Sequence, residues 1–261
     1  VIRRLIIRPG AIGDAVVSLP AVAHLCRGVE PTIWCPTQNA PIFQHLAPVQ
    51  SIAATGFDLL EWPAPLIQRL RGFHDIVSWS GANNPAIRER ASALGLPFRF
   101  LRALPPEGES RHAVDYYLDQ AGAPAGAVPS LPVSSRPAGF AVIHPFSGSP
   151  RKNWPLAHFQ SVAAQLPCPV QWCAGPEEPL PGAVRFETLD QLIPWLAQAA
   201  VYLGNDSGIS HLAAACGVPV IAVFGPTDPH VWAPRGNVQI ARFTDSTEHV
   251  TALVRSQLPS E

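Results

Sequence analysis

Short apolar runs rich in β-branched residues alternate with amphipathic stretches of helical period along almost the whole chain, and this rhythm restricts the fold to α/β architecture with parallel sheets. The pairs run Arg4 to Arg8 then Ile12 to Cys26, Thr32 to Cys35 then Gln38 to Leu46, and Gln50 to Ala54 then Pro65 to Arg71. Asp75 to Trp79 precedes Pro85 to Leu94, and Phe98 to Leu101 precedes His112 to Ala121. Gly122 to Gly139 then breaks the pattern with four prolines, Pro124, Pro129, Pro132 and Pro137, among small residues, as a linker would. A second series follows: Phe140 to His144, Leu156 to Leu166, Val170 to Ala174, Leu189 to Ala199, Val201 to Gly204, Ile209 to Cys216 and Val218 to Phe224. Two α/β domains of similar size are expected, over residues 1–130 and 131–245, with a closing helix over 246–261 that carries Val250, Leu253, Val254 and Leu258. Prolines are expected at element boundaries, as at Pro20, Pro63, Pro155 and Pro219.

The most informative stretch within this pattern runs from Gly204 to Thr227. It reads as strand end, turn, short helix, buried strand and second turn. Asn205-Asp206-Ser207-Gly208 places small and capping residues before the apolar helix Ile209 to Cys216, so free backbone N–H groups and the positive helix end meet whatever sits there. A diphosphate fits that description, and in open parallel sheets ligands lie at such strand ends. Asp206 is unexpected at an anion site; it either caps the helix or accepts from sugar hydroxyls. His211, about one turn into the helix, either faces the ligand or packs.

Three other segments follow predicted strands. Arg8-Pro9-Gly10-Ala11-Ile12-Gly13-Asp14 puts two glycines and an acid at a helix start. Asp14 is either a catalytic base or an acid that complements the helix dipole. The spacing is G-x-x-G-D rather than G-x-G-x-x-G, and Thr32 to Pro36 lacks the acid that would hold a ribose, which argues against a nicotinamide or flavin enzyme. The segment His144 to Pro155 contains Ser147, Gly148 and Lys152, the single lysine among 18 basic residues. A compact ammonium in a chain that otherwise uses arginine points to a point-charge contact, for example to a diphosphate. Gly175-Pro176-Glu177-Glu178 offers two acids to a ribose or base edge, or forms a solvated loop.

A formal net charge of −1 argues against a general nucleic-acid binder. Between Leu66 and Arg102, however, six arginines face two acids, a surplus of 6 − 2 = +4, which reads either as an anionic-partner surface or as solvated helix faces. The five cysteines form no C-x-x-C pair and read as reduced thiols of a cytoplasmic protein. No segment has metal-ligand spacing, so no metal is expected. The opening Val1 to Arg8 lacks a secretory h-region, and no run reaches the ~18 apolar residues of a spanning helix. A soluble or peripherally attached protein is expected. With no methionine even at position 1, numbering is read as starting after an initiator or a removed tag.

Taken together, Arg8 to Val22, Lys152-Asn-Trp-Pro, Gly175-Pro-Glu-Glu, and Asn205-Asp-Ser-Gly-Ile-Ser-His-Leu through Phe224-Gly-Pro-Thr-Asp resemble glycosyltransferase family 9, the ADP-heptose:lipopolysaccharide heptosyltransferases. The resemblance implies a GT-B fold, two Rossmann-like domains with parallel sheets facing across a cleft. It also implies metal-independent, inverting transfer of a heptose or related sugar from an ADP-sugar to a hydroxyl acceptor such as lipopolysaccharide core. The nucleotide sugar is then a substrate and no cofactor is needed. The partners implied are this donor and an anionic glycan or glycolipid acceptor, and the resemblance would place any peripheral attachment at the inner membrane. Asp14 matches the family's general base; Ser147, with Gly148 beside it, and Lys152 match its phosphate contacts. Asp206, Ser207, Gly208 and His211 match its donor-binding motif. Either Glu177 or Glu178 matches the nucleotide contact, with Glu178 preferred. The chain is shorter than typical members, chiefly in loops and the first domain. A GT-B enzyme with another acceptor and a noncatalytic nucleotide-sugar-binding protein are the alternatives.

Overall fold

A computed structural model describes residues 1–59, 61–134 and 137–258. The chain divides into two compact units, Val1–Glu109 with Ala113–Ala127, and Ser110–His112 with Val128–Glu261.

In the first unit, β1 (Arg3–Ile7) leads into α1 (Ile12–Leu25), followed by β2 (Glu30–Cys35), α2 (Ala40–Phe43) and β3 (Val49–Ser51). Then come α3 (Ala64–Leu70), β4 (Asp75–Ser78), α4 (Pro85–Ala93), β5 (Phe98–Phe100) and α5 (Ala113–Gln120). The strands form one parallel sheet in the order β3-β2-β1-β4-β5. One face of its core is aromatic: Phe57 stacks on Trp62 at 5.3 Å and meets Trp34 edge-on at 6.2 Å. Much of the arginine surplus is absorbed here. Arg69 lies over Trp34 at 4.8 Å and Arg90 over Trp62 at 5.3 Å, where the flat guanidinium meets the indole face. Arg99 and Arg4 both bind Asp75. Burial alone would raise the Asp75 carboxyl, but these two guanidinium groups outweigh it and hold it below its ordinary value.

The second unit contains β6 (Ala141–His144), α6 (Leu156–Ala163), β7 (Val170–Trp172), α7 (Leu189–Leu196) and β8 (Val201–Asn205). It continues through α8 (Gly208–Ala215), β9 (Val220–Phe224), α9 (Pro229–Trp232), β10 (Val238–Arg242) and α10 (Thr247–Gln257). Its parallel sheet has the order β10-β9-β8-β6-β7. β6, β8 and β9 are buried at every position, which is why they read as unbroken apolar runs. The sequence reading missed β10, a partly exposed edge strand with no continuous apolar signal, and the single-turn helix α9.

Pro63 and Pro155 stand at helix N-caps and Pro219 immediately precedes β9, as expected of boundary prolines. Pro20 does not: it lies inside α1. The apolar period of Ile12 to Leu25 continues through it, and burial of that face outweighs the hydrogen bond Pro20 cannot donate. Among the described residues, no helix is long and apolar enough to cross a membrane.

Candidate functional site

The second sheet reverses its direction of growth between β6 and β8, and at that switch point the loops leaving adjacent strand ends diverge and leave room for a ligand. The loop after β6 carries Ser147, Gly148 and Lys152, and the turn after β8 carries Asp206, Ser207 and Gly208. Asn205, fully buried, ties the two loops together. Its Oδ1 accepts from Trp154 N at 2.8 Å and its Nδ2 donates to the Pro145 carbonyl at 2.8 Å. Trp154 packs into the core against Phe159, and Pro155 caps α6, so this loop is anchored at both ends.

Across this junction Lys152 Nζ lies 2.7 Å from Asp206 Oδ2. The Asp206 side chain is 6% exposed and that of Lys152 35%, so the ammonium reaches out from a buried carboxylate. Asp206 is therefore an ion-pair partner, and the helix cap is Ser207, whose hydroxyl accepts from Ser210 N at 3.3 Å. With Ser210 N so occupied, the N–H groups of Gly208 and Ile209 remain as the first-turn donors that no intrahelical carbonyl can reach. The Ser147 hydroxyl sits 2.8 Å from both the Ser149 carbonyl and Asn153 Oδ1, donating to one at a time and bracing the loop. Gly148 is exposed with open space where a Cβ would stand. Glu178, after β7, takes hydrogen bonds from Gly175 N and His144 Nε2, whereas Glu177 is exposed.

Asp14 belongs to the first unit, at the start of α1 and beside the β1/β4 switch point of that sheet. Its Oδ2 accepts from Ala11 N at 3.0 Å. Gly10 has φ +113°, a conformation other L-residues avoid, and a Cβ there would fall 2.7 Å from the same carboxylate oxygen. Arg8 is a functional candidate that sequence reasoning did not single out. It is 1% exposed, and its guanidinium donates to Ser18 Oγ, the Pro9 carbonyl and the Asp14 carbonyl at 2.7, 2.8 and 2.9 Å. It also lies over the Tyr117 and Trp79 rings at 5.0 and 5.6 Å. Burial pulls its pKa down, and the field of Asp14 is among the influences that oppose this. A strand-end arginine before Pro-Gly was the available signal, but nothing local says that it turns inward.

The model of glycosyltransferase family 9 (heptosyltransferase) matches residues 187–257, a span that includes Asp206, Ser207, Gly208 and His211. A lipopolysaccharide heptosyltransferase 3 of Escherichia coli is 40% identical over 65 residues, 25% of this chain and 18% of that protein. The solved structure of E. coli ADP-heptose lps heptosyltransferase II aligns with a TM-score of 0.74 at 18% identity over 98% of each chain. E. coli heptosyltransferase WaaC with ADP aligns at 0.67 and 18% identity, over 98% of this chain and 100% of that one. The chain is similar to family 9 heptosyltransferases, in sequence over residues 187–257 and in fold over nearly its whole length. Its two parallel five-stranded sheets with flanking helices are the GT-B fold of those structures. It spans 15% to 31% of the length of the curated relatives it matches.

At this site His211 is buried within the field of Asp206, Lys152 and His112. Burial pushes its pKa down to about 4; Asp206 opposes this, and His112 and Lys152 reinforce it. Asp206 and His211 thus form a carboxylate beside a neutral imidazole at neutral pH. Because the folded value lies below the ordinary 6.5, the unfolded chain binds a proton that the folded chain refuses between those two values. Stability is full above pH 6.5 and falls as the pH drops toward 4, by up to roughly 3 kcal/mol from this group. Denaturant unfolding across that window should show this slope, and His211→Gln should flatten it. Among the described residues no cluster of three or more His, Cys, Asp or Glu side chains forms a metal-binding group. The five cysteines are free, and burial pushes the thiols of Cys35, Cys173 and Cys216 up to about 12, which leaves them poor nucleophiles.

Proposed function

We propose that the protein is an inverting, metal-independent glycosyltransferase that moves a heptose or related sugar from an ADP-sugar to a hydroxyl acceptor such as lipopolysaccharide core. The observation that carries this reading is the pairing of the single lysine with the Asp206-Ser207-Gly208 helix start at the switch point of the second sheet. The family match over that helix supports it, as does the likeness in fold to a heptosyltransferase solved with ADP.

In this mechanism Asp14 takes the proton of the acceptor hydroxyl as that oxygen attacks the anomeric carbon from the face opposite the nucleotide. The bond from the anomeric carbon to the diphosphate oxygen breaks, and its electron pair leaves with ADP. Lys152 and the N–H groups of Gly208 and Ile209 stabilise the charge that grows on the diphosphate, in the place a divalent cation would otherwise occupy. Ser147 contributes a hydroxyl to the phosphates, with Gly148 leaving their approach open, and Asp206 accepts from a sugar hydroxyl. His211 stays neutral beside it, and Glu178 accepts from the nucleotide. Residues 1–130 form the acceptor side and 131–245 the donor side, with a closing helix over 246–261, of which 259–261 lie outside the described residues. The enzyme works in the cytoplasm, at most peripherally at the inner membrane.

A calorimetric panel of ADP, UDP, GDP and ADP-heptose tests the donor class. ADP is expected to bind at least about 10-fold more tightly than UDP or GDP, the scale of one well-placed hydrogen bond to the base. Equal affinities would remove ADP-sugars as the donor class. Product analysis with candidate acceptors then separates transfer from nucleotide-sugar binding alone.

A further inference from the structure

His144 ends β6 with its side chain 5% exposed, and its Nε2 lies 3.0 Å from Glu178 Oε2. The main-chain N–H of Gly175 donates to the same oxygen at 2.5 Å. A carboxylate only accepts, so Nε2 carries the proton in this contact. The other ring nitrogen, Nδ1, is buried without a partner among the described residues. Glu178 is thus the one polar commitment of a buried imidazole, held across 34 positions of sequence. An apolar side chain would fill the end of Ala141-Val-Ile without stranding a nitrogen.

Both donors converge on Oε2, and neither uses Oε1. Gly175 makes this possible: a Cβ there would stand 3.3 Å from that oxygen and from the Glu178 Cδ. Burial alone would raise the Glu178 carboxyl, but the bonds from His144 and Gly175 and the field of Arg185 outweigh it, and the group stays ionised. The result is a charged acceptor whose torsions are fixed before any ligand arrives. An unbraced glutamate would lose that freedom on binding.

On the reading of the second unit as a nucleotide-sugar site, we propose that His144 is a positioning residue. Its Nε2–H, together with Gly175 N–H, locks one oxygen of Glu178 so that the other accepts from the vicinal hydroxyls of the donor ribose. His144 does not itself touch the nucleotide.

The test compares ADP with 2′,3′-dideoxy-ADP on the full chain by calorimetry. Wild type should prefer ADP by about 10-fold or more, as expected for hydrogen bonds to a charged acceptor. His144→Gln places an amide N–H near the reach of Nε2 and should keep most of that ratio. His144→Asn is shorter, and its ratio should fall to within about threefold of unity. A purely structural role would lower both affinities together and leave the ratio alone. An unchanged ratio in His144→Asn, or an equal loss in both variants, overturns the role of the Nε2–H. A wild-type ratio of one overturns it while leaving the donor reading intact, and wild type that binds no ADP removes the donor reading and this role with it. Thermal unfolding of each variant confirms that the compared proteins are folded.

Discussion

Asp14→Asn is expected to lower turnover about 100-fold or more while leaving ADP affinity within about twofold, because a positioned base contributes 10²–10⁴-fold and touches only the acceptor proton. The substitution is well suited to the local structure. Asp14 Oδ2 accepts from Ala11 N, and an asparagine oxygen can accept in the same way, so the start of α1 is preserved. Arg8 holds the turn through main-chain carbonyls of Pro9 and Asp14, which the substitution leaves in place. What asparagine lacks is the ability to take a proton. Asp14→Ala, in contrast, also removes the acceptor for Ala11 N and should destabilise the fold by about 1 kcal/mol, the usual scale of a lost cap. Turnover and unfolding measured on both variants separate the two roles of this carboxylate. Near-normal turnover in Asp14→Asn would exclude it as the base and return it to the helix-dipole role.

The fold was legible where burial is continuous. Strands covered on both faces, such as β8 and β9, leave an uninterrupted apolar run that needs no partner to be recognised. β10 was not legible because an edge strand is only partly covered, and its five residues mix polar and apolar positions. At the candidate site, residue types at strand ends were legible, since Lys152 is unique and Asp206 precedes a helix. Their pairing was not, because it depends on which strands become neighbours. Asp206 read as a possible cap until β8 was placed beside β6 and brought Lys152 within 2.7 Å. For the same reason local sequence alone does not separate Glu177 from Glu178, and the preference for Glu178 rests on the resemblance. Only the neighbouring strand end, with His144, distinguishes a braced acid from an exposed one. Arg8 shows the limit from the other side: local sequence does not reveal that a charged side chain will find carbonyls and aromatic faces inside the fold.

Lys152→Ala should weaken ADP binding by roughly 1.5–3 kcal/mol, the scale of a hydrogen bond to a charged group, or about 10- to 150-fold. The single variant alone is ambiguous. Removing the ammonium withdraws a contact from the diphosphate, and it also exposes the ligand to the unneutralised carboxylate of Asp206, whose side chain is 6% exposed. The ion pair itself adds little to folding, on the order of 1 kcal/mol or less, because the lysine side chain is 35% exposed and screened by solvent. Asp206→Asn separates the two effects. It frees Lys152 from its partner and removes the repulsion, so ADP affinity should hold or rise, while the advantage of ADP-heptose over ADP should shrink if the carboxylate accepts from a sugar hydroxyl. The double variant decides the matter. If Lys152 acts on the phosphates, Lys152→Ala/Asp206→Asn remains weakened by at least about 10-fold relative to Asp206→Asn. If the loss in Lys152→Ala came only from the exposed carboxylate, the double variant regains wild-type affinity, and Lys152 is a neutralising partner of Asp206 rather than a contact of the leaving diphosphate.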